Sequence, residues 1–199
     1  MRVIAGIYRS RHLNSLKGMA LRPTSDRLRE TLFDILRDRV VGARFVDVFA
    51  GTGAVGIEAL SRGATEVVFI EKYASAAALI RKNLESLEVR AGVRVLPIDA
   101  LKGLEILANG TSYRRELPTI VFLDPPYSNA EDYDRVLSFL GSATLLQGGD
   151  LVIAEHRRNF ELPEAAKDLQ RVRVLRQGDA TLSFYRFLKI NPENERATE

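Results

Sequence analysis

The chain has 199 residues, 46% of them hydrophobic and 28% charged, with a formal charge of +3 and a pI near 9.3. That balance fits one globular domain with at most a small appendage, and no apolar run approaches the ~20 residues of a membrane span. Cysteine is absent, which excludes disulfides, thiolate metal sites and a cysteine nucleophile. His12 and His156 match no ligand spacing, so no metal is expected. The start, MRVIAGIYRSRHL, lacks the apolar stretch of a secretory signal, which makes the cytoplasm the expected compartment.

Residues 1–22 read as two short strands, RVIAGIY and HLNSL–MALR, turning at Lys17-Gly18. No acid precedes Asp26, whereas Arg2, Arg9, Arg11, Lys17 and Arg22 do. Charge this one-sided attracts a polyanion. Pro23, Thr24 and Ser25 then lead into a helix, with Thr24 or Ser25 as its cap. From Asp26 to about Val40, the residues Leu28, Leu32, Ile35, Leu36 and Val40 recur at helical spacing, with Arg27, Arg29, Glu30, Asp34 and Arg37 between them.

Strand and helix then alternate. RFVDV (44–48) precedes helical AVGIEALSR. EVVFI (66–70) precedes YASAAALIRKNLESLEV. VRVLPI (93–98) precedes a helix near 100–108, and TIVFL (119–123) precedes one near 131–140. DLVIA (150–154) follows, and a hairpin-like pair, QRVRVLR (170–176) and TLSFYRFL (181–188), closes the chain. The βα repeats predict an α/β fold with a seven-stranded, mostly parallel sheet that ends antiparallel. The expected organisation is a single domain over 1–190. Within it, residues 1–40 form a basic hairpin and helix that bind substrate and 41–190 form the catalytic core, followed by a flexible tail at 191–199.

The first strand runs into Asp47-Val48-Phe49-Ala50-Gly51-Thr52-Gly53-Ala54-Val55-Gly56. GTGAVG formally fits a dinucleotide fingerprint, with Glu71 downstream. A carboxylate at Asp47 is unfavourable beside a pyrophosphate and favourable beside a cation. S-adenosylmethionine, with a sulfonium, an ammonium and no phosphate, fits better than NAD. Glycine lets the backbone approach it closely. Glu71, with Lys72 beside it, ends the second strand, where it can accept from ribose hydroxyls. Asp99-Ala100 ends the third, where it can meet an adenine amino group. The plainer roles for these two acids are a helix-start acid and an N-cap.

The fourth strand stops at Asp124-Pro125-Pro126-Tyr127. Two prolines terminate the strand and stiffen the turn. Asp124 and the Pro125 carbonyl can accept the two N–H bonds of an exocyclic amine on a planar ring, aiming its lone pair at a methyl donor. Tyr127 offers a flat face for a flipped base. His156 and Glu155, after the fifth strand, lie near the same edge without a definite role. A DNA adenine-N6 methyltransferase, another amino-methyltransferase, an NAD-dependent oxidoreductase and a non-catalytic rRNA-binding protein are the competing readings.

DVFAGTGAVGIEALSRGA (47–64), Glu71, DPPY (124–127) and RPTSDRLRETLFDIL (22–36) together resemble the RsmD family, the bacterial 16S rRNA guanine-N2 methyltransferases. The resemblance spans nearly the whole chain, and RPTSDRLRETLF is its family-specific part. It implies a Rossmann-like, S-adenosylmethionine-dependent methyltransferase acting on 16S rRNA, within a 30S particle or assembly intermediate. Asp47, Gly51, Gly53, Glu71 and Asp99 would surround the cofactor and Asp124 to Tyr127 would stand at the chemistry. A monomer suffices. The phosphate contacts are expected from Arg9, Arg11, Arg22, Arg27 and Arg29, with Thr24 at the cofactor edge.

Overall fold

A computed structural model of the chain describes residues 1–15, 24–110, 116–126 and 131–188. Lys17-Gly18, Arg22, Tyr127 and the tail therefore lie outside the described residues. Within them, five parallel strands form one side of a sheet: β1 (Arg44–Val48), β2 (Glu66–Ile70), β3 (Val93–Leu96), β4 (Thr119–Leu123) and β5 (Leu151–Arg157). β6 (Ala165–Ala166), β7 (Leu169–Gln177) and β8 (Ala180–Phe187) complete it in the order β3-β2-β1-β4-β5-β8-β7-β6. β8 runs antiparallel between β5 and β7, as the terminal hairpin predicts. The two-residue β6 is an addition to the seven expected strands.

Alternation along each strand divides the core. Phe45, Val67, Phe69, Ile120, Phe122 and Ile153 face one side, beneath α1 (Asp26–Leu36), α2 (Ala54–Ser61) and α3 (Ala74–Ser86). Val46, Val48, Val68, Ile70, Val121 and Leu123 face the other, against α4 (Ala100–Asn109) and α5 (Glu131–Leu140). Both faces are covered, so the central strands are apolar at nearly every position. α1 ends at Leu36, earlier than expected, where Arg37 adopts φ 43° and a 3-10 turn, Arg37–Val40, finishes the segment. Its cap is Ser25, whose side chain accepts from the Leu28 N–H at 3.2 Å.

In the N-terminal arm the first expected strand, RVIAGIY, is not formed, while most of the second lies outside the described residues. Residues 1–15 contain one isolated antiparallel bridge, Arg2 with His12. The arm is held instead by side chains of the core helices. The fully buried Glu58 of α2 accepts from Ile4 N at 2.8 Å and Ala5 N at 3.0 Å, and from Arg62 Nε at 2.8 Å. Ser61 accepts from Tyr8 N at 3.0 Å, and Asn83 of α3 accepts from Asn14 N at 2.8 Å. The arm also pairs with itself, Val3 N donating to the Arg11 carbonyl at 3.0 Å and Leu13 N to the Met1 carbonyl at 2.9 Å, without forming a continuous ladder.

Arg29 is likewise corrected. It is fully buried, donating to the Arg2 carbonyl at 2.6 Å and pairing with Asp26 at 3.0 Å and Glu58 at 3.7 Å, so it is not a phosphate contact. It falls four residues before Phe33 and seven before Leu36, inside the buried stripe of α1 rather than opposite it. Removing one partner of a buried pair strands the other. Glu58→Ala is therefore expected to cost about 3–5 kcal/mol in urea unfolding; a loss under ~1 kcal/mol would show that the arm and α1 do not depend on it.

Candidate active site

The strand order changes direction between β1 and β4: the chain runs out to β2 and β3 on one side and returns to β4 and β5 on the other. The loops leaving β1 and β4 therefore diverge and open a crevice at the carboxyl edge, where open α/β sheets bind ligands. A cavity of about 410 Å³ fills it, within the ~300–1,000 Å³ of small-molecule sites.

The loop after β1 forms one wall through Asp47, Phe49, Ala50, Gly51 and Thr52. Phe49 has φ 65°, a conformation costly for a bulky residue and a mark of a constrained site. Gly53, at φ 77°, is the N-cap of α2 and turns the chain into the helix. The third glycine has a different reason: a Cβ on Gly56 would lie 2.4 Å from the Phe69 ring. Asp47 Oδ2 accepts from the Gly56 N–H at 2.9 Å, satisfying a donor in the first turn of α2. Asn83 donates to the Thr52 carbonyl at 3.3 Å, tying this loop to the residue that holds Asn14.

After β2, the buried Glu71 accepts from Gly51 N with Oε2 and from Tyr73 N with Oε1, both at 2.8 Å. It thereby braces the glycine loop while lining the cavity beside Lys72. Ala100 and Ile98 form the far wall. Asp99, exposed, caps α4 by accepting from Leu101 N at 3.1 Å. At the end of β4, Asp124, Pro125 and Pro126 line the cavity, and so does Thr24 just before α1. Thr24 does not cap α1; its buried hydroxyl donates to Glu155 Oε2 at 2.7 Å.

Tyr73, Phe122 and Arg157 are among the lining residues that escaped the sequence reading. Tyr73 follows Lys72, whose ammonium lies 5.1 Å from its ring, and Phe122 lies under the corner. Arg157 lines the cavity because β5 continues past its apolar run to include Glu155, His156 and Arg157. His156 is structural: Nε2 meets the Ser183 hydroxyl at 2.9 Å and Nδ1 the Arg157 carbonyl at 3.0 Å. Burial lowers its pKa, so the neutral ring donates from Nδ1 and accepts at Nε2. Arg9 and Arg27 are exposed around a shallow cleft with Arg2, Asp26 and Glu30, and Arg11 donates to the Ser86 carbonyl at 2.7 Å.

Electrostatics separates this cavity from an ordinary cleft. Asp47, Glu71 and Asp124 line it against the cations Lys72 and Arg157. Burial pushes Asp47 up to about 8, opposed by the Gly56 N–H and reinforced by Glu71. Burial also raises Asp124 well above the carboxylate range, with Glu155 and then Asp47 adding to it. Such a site disfavours another anion and favours a cation.

Fold and cavity together define a Rossmann-like methyltransferase. A family model described as conserved hypothetical protein 95 matches residues 1–186. The ribosomal RNA small subunit methyltransferase D of Haemophilus influenzae is 38% identical over 163 residues, 81% of each chain. The chain belongs to this family, the RsmD family of methyltransferases. Among solved structures, the Escherichia coli protein yhhF superposes with a TM-score of 0.79 at 29% identity, covering 94% of this chain and 98% of that one. An RNA methyltransferase from Salinibacter ruber, in complex with S-adenosyl-L-homocysteine, shares the fold at 17% identity, with a TM-score of 0.58 over 86% of this chain and 97% of that one.

A carboxyl whose pKa rises on folding holds its proton more tightly in the folded state. Its stabilising contribution is complete below the unfolded value, ~4, and is lost as pH rises through the folded value. For Asp47 the folded value is about 8. The ligand-free protein should thus lose stability from ~pH 4 to pH 8, and Asp47→Asn should lose measurably less. Urea unfolding at intervals across that range tests this; identical slopes for the two proteins would remove Asp47 as a source.

Proposed function

We propose that this chain transfers a methyl group from S-adenosylmethionine to the exocyclic N2 amine of a guanine in 16S rRNA of the small ribosomal subunit. The observation that carries the reading is a pair of acids, the buried Asp47 and the partly exposed Asp124, both raised in pKa and lining one cavity at the β1–β4 divide. Such acids fit a ligand that brings positive charge. Support for the RNA comes from the RsmD family and from its small-subunit rRNA methyltransferase in Haemophilus influenzae.

When bound, S-adenosylmethionine supplies a methyl group activated by its sulfonium. Asp47 and the backbone of Gly51 and Thr52 hold its amino-acid end, and Gly53 shapes the turn. Glu71 accepts from its ribose hydroxyls, with Phe49, Ala50 and Lys72 around the sugar. Ile98 and Ala100 flank the adenine, and Asp99 accepts from its amino group. Asp124 and the Pro125 carbonyl accept the two N–H bonds of the target amine, orienting its lone pair. Pro126 fixes the turn and Tyr127 stacks on the base. As the amine nitrogen gains its methyl group and positive charge, Asp124 takes one of its protons, a role suited to a carboxyl made more basic by burial. Orientation and electrostatics supply most of the acceleration, without a metal or covalent intermediate.

On the substrate side, Arg9, Arg11, Arg22 and Arg27 contact phosphates, while Thr24 lines the cavity. The substrate is a 30S particle or an assembly intermediate in the cytoplasm, met by a monomer. Substrate contacts of this kind fix position while the base pocket selects the reacting group.

Labelled methyl transfer to 30S particles, naked rRNA and DNA, followed by nucleoside analysis, should yield N2-methylguanosine in 16S rRNA. Label in another nucleoside would overturn the acceptor assignment. Asp124→Ala should lower kcat by ~10²–10⁴-fold while calorimetry still detects the methyl donor binding. The double variant Arg9→Glu, Arg27→Glu should weaken RNA binding most at low salt and flatten the slope of log affinity against log salt. An unchanged slope would return both residues to simple surface charge.

A further inference from the structure

β4 and β5 run parallel in a register that sets Leu123 beside Ala154. Asp124 follows the last paired residue of β4 and Glu155 follows its partner in β5, so continuing the register places them side by side. Register partners in neighbouring parallel strands carry their side chains to the same face, with backbones ~5 Å apart. Phe122 and Ile153, two residues earlier, face the core under α1, so Asp124 and Glu155 face that side too. Glu155 is buried, and the hydroxyl of Thr24 donates to its Oε2 at 2.7 Å. Thr24 and Asp124 both line the cavity. A carboxylate, a second carboxylate and a hydroxyl thus form a chain from the reaction corner to the segment that begins α1.

We infer that Glu155 and Thr24 are positioning residues for Asp124: the Glu155 charge, held by the Thr24 hydroxyl, sets how strongly Asp124 binds the proton leaving the methylated amine. The inference rests on the proposed reaction for its catalytic meaning, but the coupling of the two carboxyls belongs to the free protein. In the step concerned, an N–H bond breaks, its electron pair stays on nitrogen, and the proton forms an O–H bond on Asp124. A neighbouring negative charge makes that bond more favourable. A hydroxyl donating to Glu155 favours its charged form, which directs the proton to Asp124. The raised affinity of Asp124 for a proton follows burial first, Glu155 second and Asp47 third. The other charged groups around the cavity are Glu71 and Lys72 after β2 and Arg157 at the end of β5. Lys72, Arg157 and a bound cation all oppose the effect, leaving Asp124 able to ionise during turnover.

Carbon-13 NMR of labelled carboxyls in the free protein tests the coupling without any methyl acceptor. Asp124 and Glu155 are expected to titrate together, each reporting both steps. Glu155→Gln should leave Asp124 with one step, moved to lower pH. Thr24→Val should also lower it, and Thr24→Ser should restore it. In methyl transfer, Glu155→Gln should move the acid limb of the kcat profile down by a similar amount while donor affinity stays within about twofold, since Glu155 does not line the cavity. A single-step Asp124 titration in the unaltered protein, or one indifferent to Glu155→Gln, overturns the inference even where methylation proceeds. Coupled titration without methylation of any RNA would instead sink the proposed activity alone.

Discussion

The buried carboxylate of Glu58 is the joint on which the catalytic edge depends. It joins three segments that share no strand: the N-terminal arm through Ile4 and Ala5, α1 through Arg29, and its own helix through Arg62. Desolvating a carboxylate and two guanidinium groups is costly, and attraction between them offsets that cost only if geometry is held. The consequence is directional. Fixing Arg29 one turn into α1 fixes where α1 begins, and Thr24, just before it, then lies at the cavity edge. α1 also packs Leu28, Leu32, Phe33 and Leu36 into the core face shared with Phe45 and Phe122. A segment outside the βα repeats is thereby made part of the site.

A second constraint comes from placing several acids where strands end. Asp47 and Glu71 each serve backbone donors, at Gly56 and at Gly51 and Tyr73, so they shape the loop before any ligand arrives. Hydrogen bonds of this kind favour a charged carboxylate, but for Asp47 burial outweighs them. The loop is therefore preorganised around a carboxyl that keeps its proton in the free protein. A cationic ligand can take the place of that proton, whereas a pyrophosphate cannot, which is a physical reason for preferring a cation over a dinucleotide here.

The alternation of βα units, the antiparallel end and the acids at successive strand ends were legible because each depends on local pattern. Periodicity reports which face is buried, and proline reports where a strand must stop. The arm was misread because RVIAGIY has the composition of a strand while its partners, Glu58, Ser61 and Asn83, lie more than fifty residues away. Composition cannot reveal donors satisfied by distant side chains. Arg29 carried a readable signal, its place in the stripe of Phe33 and Leu36, and the acid inside the otherwise apolar AVGIEALS was the matching half. β5 outran its apolar segment because Glu155 and His156 find buried partners in Thr24 and Ser183, neither of which is near in sequence.

These points bear on how a general corner becomes a selective one. Asp-Pro-Pro-Tyr offers two acceptors and a flat face to any planar amine, so it cannot by itself choose a guanine in ribosomal RNA. In the proposed function, choice enters through the N-terminal segment. Arg9 and Arg27 lie on its exposed side, while Thr24 reaches inward to Glu155, whose charge acts on Asp124. The same short stretch thus carries the outward charge that meets a polyanion and the inward hydroxyl that touches the acid network. A shift of α1 by one hydrogen bond's length would separate Thr24 from Glu155 and alter the charge beside Asp124. In the proposed mechanism, recognition and basicity would be coupled through one element that Glu58 and Arg29 tie to the core.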